Sequence, residues 1–580
     1  MTLAVDLATT FPRRFLPPEA DMGDWADIEP LYRRLLAARV VSVDALERWI
    51  EDASELASAI SEEASRRYVA MTCQTDDPER ERAYLFFIEE ILPKVKPLGH
   101  ALDEAYLRSP YRALLPPRYG LLDRSVQNRV TLFRPENIAL QTEEAKLGQK
   151  YQKISGAMTV VFRGKEHTLQ QMSRYLEETD RAVREEAWQL VARRRLQDRE
   201  SFEEIFEQLL ELRERIARNA GCANYREYVF RKRERFDYTP EDCLRFHDAV
   251  EQAVLPLARR LQEERRRDLR VDTLRPWDYD VDPRGRPPLR PFATVDELTA
   301  GVEQIFTRID ADLGQQFRFM REGSLLDLES RKGKAPGGYQ STFEERRVPF
   351  IFMNAVGRDS DLRTLLHEGG HAFHMLAART DPVIQYRHAP MEFSEVASMG
   401  MELLASPYLT VFYRDRADER RASRELIAGV VMIFPWIATV DAFQHWLYTH
   451  PGHTREERRA AWVRTFRRFA PLVDFTGYED VLDSLWHRQI HVFLYPFYYI
   501  EYGIAQMGAL QVWRRARSDY AGAVRQYREA LALGGRAPLP ELFAAAGAEF
   551  DLTARTLTPL MEAIDGALDE FDAGDRAAAG

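Results

Sequence analysis

The chain has 580 residues, 45% of them hydrophobic and 30% charged, with 30 glycines and 30 prolines, a balance that excludes collagen-like, disordered and small disulfide-stapled classes. Acids outnumber bases by 92 to 81, so the net charge of -11 is the reverse of a nucleic-acid binder's footprint, and no DNA or RNA partner is expected. Only 9 of the 81 basic residues are lysine, and the arginine excess reads as genome composition or a preference for durable ion pairs.

From the N-terminus, MTLAVDLATTFPRRFLPPEADMGDW has no basic region leading into a long apolar core, so no secretory signal is expected. Residues 44–106 read as two or three helices, and charged and apolar residues alternate at three- and four-residue spacing through most of the chain, which predicts a mainly α fold. MTVVFRG at 158–164 reads as a strand turning at Gly164. The Glu/Arg-rich stretch 166–219, where Leu209, Leu212 and Ile216 stand beside Glu211, Arg213, Glu214 and Arg215, reads as a solvated helix face. TLRPWDYDVDPRGRPPLRPF at 273–292 interrupts the pattern and is expected to form an ordered surface loop. A second strand, VPFIFMN at 348–354, follows the glycine-rich KGKAPGGYQ, whose flanking Asp327 and Lys334 read as parts of a solvated loop.

Leu426–Val440 is apolar for 15 residues between Glu425 and Asp441, short of a bilayer span, so a buried helix and no membrane partner are expected. Cys73, Cys222 and Cys243 are scattered and odd in number, which suits a reducing, cytoplasmic setting. Three regions follow: an N-terminal helical region over 1–120, a helical lobe with a short hairpin over 121–200, and a helical body over 201–580 that carries the chemistry.

In that body DSDLRTLLHEGGHAFHMLAA reads as a helix capped by Ser360 or Asp361, with Leu362, Leu365, Leu366, Phe373 and Leu376 as its apolar stripe. His367 and His371 are four residues apart, so a helix sets them about 40° apart and one turn along its axis, where two imidazoles converge on one cation. With Glu368 between them this is the HExxH zinc pattern. Gly369 and Gly370 each cost the helix roughly 1 kcal/mol against Ala, which implies close packing at that point. A catalytic zinc needs a third protein donor, and Glu392, Glu395 and Glu402 of MEFSEVASMGMELLASPYL share a face and are the candidates.

Further on, His491, Tyr495, Tyr498 and Tyr502 recur at offsets 0, 4, 7 and 11, one stripe of a helix even if bent at Pro496, read either as an aromatic core or as a polar cleft wall. His374 reads as a supporting or packing residue, His487 and His445 as surface or core residues, and His388 as a candidate substrate contact.

These motifs resemble the thimet oligopeptidase and oligoendopeptidase F family of zinc peptidases, with the oligoendopeptidase F branch nearer. The likeness runs over at least residues 130–520, through NIALQTEEAKL at 137–147, the Gly-Lys-x-x-Gly-Gly-Tyr run ending at Tyr339, PFIFMN, HEGGH, Phe393-Ser394-Glu395-Val396-Ala397-Ser398 and the Tyr-rich segment. Gly369 departs from it, standing where many relatives carry Phe or Leu.

The resemblance implies a large helical zincin-type metallopeptidase with a small β element beside the active-site helix and a deep substrate channel. It implies one zinc ion on His367, His371 and Glu395, with Glu402 and His374 behind the ligands. Glu368 would act as the base. His491 with Tyr499 and Tyr502, or Tyr498 on the helical face, would serve the oxyanion, and Gly338, Tyr339 and His388 would line the substrate. The strand Pro349–Asn354 is expected to pair with an extended peptide. The expected activity is endopeptidase cleavage of short unfolded peptides. An HExxH metallocarboxypeptidase and a non-catalytic peptide-binding relative are the alternatives, and no oligomeric state is read from the sequence.

Overall fold

The computed structural model describes residues 4–579 apart from Lys332, Pro336 and Pro471, and leaves aside the side chains of Gln149, Gln152 and 575–579. Its contacts group into two compact units that interleave along the chain. One holds residues 1–135, 290–419 and 508–550, and the other 136–289, 420–507 and 551–580. The consecutive regions drawn from the sequence assumed that neighbours in sequence stay together, and these units do not follow that assumption.

In the first unit, the helices Trp25–Ala37, Val43–Cys73 and Leu92–Arg108 pack around Ile28, Leu31, Leu46, Leu56 and Phe87, all nearly inaccessible to solvent. The Ser42 hydroxyl accepts from the Ala45 N–H and starts the long second helix.

A three-stranded sheet follows, with β3 (Leu326–Glu329), β4 (Tyr339–Phe343) and β5 (Val348–Ala355) in the order β3-β5-β4. The strand β5 runs parallel to β3 and antiparallel to β4, pairing Tyr339 with Phe352 and Phe343 with Val348. Its continuous apolar run is buried on both faces, as a central strand requires. Both its edges are therefore taken, and the edge strand on the side of the glycine-rich run is β4, not the Pro349–Asn354 stretch expected to receive a peptide. Lys334 is not solvated: its buried ammonium donates to Asp327 Oδ1 at 2.8 Å and to the carbonyls of Asp327, Glu329 and Met353 at 2.6–3.0 Å. One cation thus ties the start of the glycine-rich run to β3 and β5.

In the second unit, β1 (Thr159–Phe162) and β2 (Lys165–Thr168) form a hairpin. Its turn, Arg163-Gly164, has φ of 51° and 77°, the pair of positive values that a two-residue turn of this hand needs. The charged helix Arg199–Asn219 buries Phe202, Ile205, Phe206, Leu209 and Ile216, but also Glu203 and Arg213. Arg213 survives in the interior because Glu144 accepts from it at 2.7 Å and the Tyr448 hydroxyl at 2.8 Å.

Nor is 273–292 a surface loop. Leu274, Trp277 and Asp278 are buried, and Asp278 accepts from Arg181 and Arg184. Arginine pairing offsets the cost of burying this polar stretch. Leu426–Val440 lies in the helix Arg416–Thr449, long and apolar enough to cross a bilayer, with 67% of its most apolar window buried within the protein.

Candidate metal centre and active site

The helix Asp359–Ala378 carries His367, Glu368 and His371, and the helix Met391–Ala405 carries Glu395 and Glu402. The first begins one residue before the expected caps. Its N-terminus is closed by Asp361, whose carboxylate accepts from the N–H groups of Val356 and Arg358 at 2.7 and 2.9 Å.

The two helices approach closely because Gly370 lacks a side chain: a Cβ there would stand 2.5 Å from the Ala397 carbonyl oxygen and 2.6 Å from Ser398 Cα. Gly369 faces a different neighbour, since its Cβ would meet the tip of the Phe306 ring at 2.5 Å. Phe306 fills the volume that a larger residue at 369 would claim. The glycine pair thus has a packing origin on both sides of the helix.

This approach brings Glu395 Oε2 to 3.3 Å from His367 Nε2 and 3.5 Å from His371 Nε2. Tetrahedral donors bound at 2.0–2.1 Å stand about 3.3 Å from one another, so these separations fit a single ion with a position left over. The rings of His367 and His371 cross at 82° with centroids 5.0 Å apart. Glu402 Oε1 accepts from His367 Nδ1 at 2.7 Å, which leaves Nε2 as the lone pair that can ligate. Ser398 Oγ donates to Glu395 Oε2 at 2.9 Å and fixes the carboxylate. Sequence reasoning gave Ser398 no role, although its i,i+3 spacing from Glu395 was the available signal. Glu392 is buried on the same helix but is not one of the three converging residues.

In the ion-free protein burial disfavours a charged His367, but Glu395 and Glu402 outweigh it and hold the imidazole well above its usual pKa. Glu395 is correspondingly held well below the carboxylate range by His371 and His367, against the opposing effect of burial. Burial raises the pKa of Glu368, whose carboxylate also receives the backbone N–H of Gln340 on β4. A buried carboxylate beside two metal donors, next to an edge strand, is suited to holding and passing a proton.

The other sequence candidates in this unit divide. Gly338 packs against the ligand helix, where a Cβ would stand 3.1 Å from Thr364 Cγ2. Tyr339 turns away from the ligands: its ring stacks on Phe352 and its hydroxyl pairs with Thr72 Oγ1 at 2.6 Å, so both faces of its chemistry are used inside the fold. The Nε2 of His388 lies 2.5 Å from the buried Glu344, which no sequence signal pointed to. His374 is buried against Phe393, its Nε2 without a hydrogen-bond partner among the described residues, and burial pushes its pKa down to about 3.

In the second unit, His491 lies in the short helix Ile490–Leu494, and the chain then breaks before the helix Tyr499–Ala516. The break is made by Phe497 with φ of 62°, so the expected continuous stripe is not a helical face. The outcome is nonetheless a cluster: the rings of Tyr495, Tyr498, Tyr499 and Tyr502 lie 6.1, 5.6, 4.8 and 5.8 Å from His491. Trp436 Nε1 donates to Gln489 Oε1 at 3.1 Å, which turns the amide nitrogen toward His491 Nδ1 at 2.7 Å. His491 Nδ1 therefore accepts, and a neutral ring keeps its proton on Nε2. Tyr499 is pushed up to about 12 by burial and remains a hydroxyl donor at neutral pH.

A second convergence of donors, Cys243, Asp441 and His445, is buried in this unit. There Arg226 faces His445 Nδ1 at 3.2 Å and His247 Nε2 faces Asp441 Oδ2 at 2.8 Å. An arginine only donates, so His445 Nδ1 accepts and its Nε2 keeps the proton, which makes this group a hydrogen-bonded network.

Comparison with known proteins follows the same geometry. Residues 174–561 match the model of peptidase family M3, and residues 18–132 match that of the peptidase M3 N-terminal domain. The chain is 24% identical over 243 residues to the oligoendopeptidase F homolog of Borreliella burgdorferi, covering 40% of each protein. It is 29% identical over 123 residues to oligopeptidase PepF of Bacillus subtilis (strain 168), covering 20% of this chain and 18% of that one. The matched stretches thus span two fifths or less of these curated relatives.

Solved structures match over far more. One of PZ peptidase A with an inhibitor superposes with a TM-score of 0.90 at 28% identity, over 96% of this chain and 99% of that one. Another, assigned as oligoendopeptidase F from Bacillus anthracis str. Ames, gives 0.85 at 25% identity, over 95% and 97%.

Proposed function

The chain belongs to peptidase family M3, whose members are metallopeptidases, and on that footing we propose that it hydrolyses internal bonds of short unfolded peptides with one zinc ion. The observation that carries the reading is the convergence of His367 Nε2, His371 Nε2 and Glu395 Oε2 beside Glu368. Two imidazoles and one carboxylate are the donor set of a catalytic zinc that keeps a position open. When bound, the ion supplies Lewis acidity toward water and the scissile carbonyl.

The chain's own residues supply the rest. Glu368, desolvated and next to the open side of the donor set, takes a proton from the attacking water and returns it to the leaving amine. Glu402 and Ser398 keep His367 and Glu395 aimed. An extended peptide adds to the edge strand β4 through main-chain hydrogen bonds, which tolerates varied side chains. His388, held by Glu344, offers its other ring nitrogen to the peptide. His491 Nε2–H and the hydroxyls of Tyr499 and Tyr502 are donors suited to the developing oxyanion, with Tyr498 as the further candidate of that cluster. All three cysteines are buried thiols outside any disulfide, which supports residence in the reducing cytoplasm.

The test is mass spectrometry of a peptide mixture incubated with the zinc-loaded protein and with Glu368→Gln. Internal cuts by the wild type alone are expected. C-terminal ladders would replace the endopeptidase by a carboxypeptidase, and equal cleavage by both proteins would remove Glu368 from its role.

A further inference from the structure

The edge strand β4 offers a peptide only those backbone groups that β5 leaves free. Residues that face one another in an antiparallel pair alternate between exchanging two hydrogen bonds and exchanging none. Pro349, which has no N–H, stands opposite Thr342. Ile351, whose N–H donates to the Leu325 carbonyl at 2.9 Å on the side of β3, stands opposite Gln340. The backbone of Gln340 and Thr342 therefore turns away from β5 to the outer edge, where the Gln340 N–H meets Glu368. Two residues further on, at the same parity, stands Glu344, the first residue of the turn between β4 and β5.

Glu344 is 3% exposed and is held from two directions. Arg387 donates through Nη1 to its carbonyl at 3.1 Å and through Nη2 to Ser58 Oγ at 2.5 Å, with Nη2 3.4 Å from the carboxylate Oε2. The counter-charge that burial demands is thus supplied by Arg387, itself buried. The other carboxylate oxygen, Oε1, accepts from His388 Nε2 at 2.5 Å, and the His388 side chain is 49% exposed. A surface ring anchored on a buried and compensated carboxylate has its direction and its tautomer set. A neutral imidazole carries one N–H, and with that proton on Nε2 toward Glu344 the Nδ1 keeps a lone pair, able to accept but not to donate.

The place of this ring relative to the chemistry is fixed twice within the first unit. From Gln340 at Glu368 to Glu344 at His388 is four residues of extended chain, about 13 Å. His388 also stands three residues before the helix Met391–Ala405 that carries Glu395. A peptide laid along the outer edge of β4 with its cleaved bond at Glu368 brings the residue about four positions away to His388.

We propose that His388, positioned by Glu344, is a subsite that accepts an N–H of the peptide about four residues from the cleaved bond. This rests on the peptidase reading above and on strand addition to β4. The N–H has two sources, the terminal ammonium of a peptide that ends there and a main-chain amide of a longer one. Either source is backbone, so the site sets how much peptide must lie along β4 for tight binding and leaves the side chains free to vary.

The experiment uses alanine-rich peptides without Lys, Arg or His, lengthened one residue at a time on either side of the cleaved bond. KM and kcat are measured by chromatography of the products for the wild type, His388→Phe and Glu344→Ala. The longest peptides are also tested with an acetylated N-terminus and with an N-methyl group at successive amides. The His388 tautomer is read from ring nitrogen shifts of protein labelled at histidine, its signal identified by its loss in His388→Phe. Binding of the same peptides to Glu368→Gln, with and without His388→Phe, is measured by calorimetry.

For the wild type, reaching about the fourth residue on one side lowers KM roughly three- to tenfold, the worth of one hydrogen bond, with kcat little changed. The gain disappears in His388→Phe and Glu344→Ala, and the ring carries its proton on Nε2. If Glu344→Ala does not fold, His388→Phe and the tautomer decide the matter. Loss of the gain on acetylation identifies the ammonium, and loss on N-methylation identifies the amide. The proposal is overturned by a wild-type KM that shows no step with length, by a gain that persists in His388→Phe or survives both modifications, or by a proton on Nδ1. If no peptide is cut but binding to Glu368→Gln shows the step and His388→Phe removes it, the subsite stands and the hydrolase reading falls.

Discussion

Replacing Gly370 by alanine tests the claim that helix contact sets the donor geometry. The new Cβ would lie 2.5 Å from the Ala397 oxygen and 2.6 Å from Ser398 Cα, where ordinary contact begins at 3.4 Å, so the helices must part by about 0.9 Å. The obstruction is backbone, which has no rotamer to yield. Alanine gains roughly 1 kcal/mol of helix propensity, and overpacking costs roughly 1–3 kcal/mol, so a net loss of up to about 2 kcal/mol is expected.

The larger effect falls on the metal. Metal–ligand distances tolerate about 0.2 Å, and Ala397 and Ser398 lie two and three residues after Glu395 on the same helix, so the carboxylate leaves the reach of an ion on the two histidines. Competition with a fluorescent zinc chelator should show affinity weakened by at least the roughly 10- to 100-fold typical of disturbed ligand support, with a lowered Tm by calorimetry. Wild-type zinc affinity in Gly370→Ala would refute the reasoning, because the contact would then be relieved without moving Glu395.

Glu402→Gln should lower zinc affinity roughly 10- to 100-fold in the same chelator assay while the circular dichroism spectrum stays unchanged. Gly369→Leu should be destabilised by roughly 1–3 kcal/mol in urea unfolding, and adding Phe306→Ala should recover part of that loss, since the two side chains compete for one volume. His374 has its pKa depressed to about 3 from 6.5, so its contribution to stability is complete above pH 6.5 and is lost as pH falls toward 3. His374→Phe should therefore flatten the acid limb of a stability-against-pH curve, and an unchanged limb would count against a buried neutral imidazole.

The ligand helix was legible because its information is local: a four-residue spacing needs nothing beyond helical geometry to put His367 and His371 together. The placement of Glu395 was not in the spacing, which left Glu392 and Glu402 as equal candidates, and it came from the family resemblance. The strand at 348–354 was legible as a strand, but its neighbours were not, since pairing with β3 and β4 is a long-range choice. Its unbroken apolar run did carry the hint of a central position. The 491–502 segment misled because periodicity assumes a continuous helix, and one positive φ at Phe497 replaces the stripe by a cluster of the same residues. Arg213 and Asp278 were placed in solvent because a single sequence cannot show a counter-charge arriving from 69 or 97 residues away.

All the donors and their supports, from His367 to Glu402, come from 36 consecutive residues within one unit, held by Gly370 against its neighbour helix and by the packing around it. The ion therefore closes only a short loop, and its departure frees little chain entropy. Chelation should leave a folded body with an idle centre, and returning zinc should restart it without a refolding lag. Such a protein can wait for its metal, and its supply of active molecules can be set by how much of that metal is at hand.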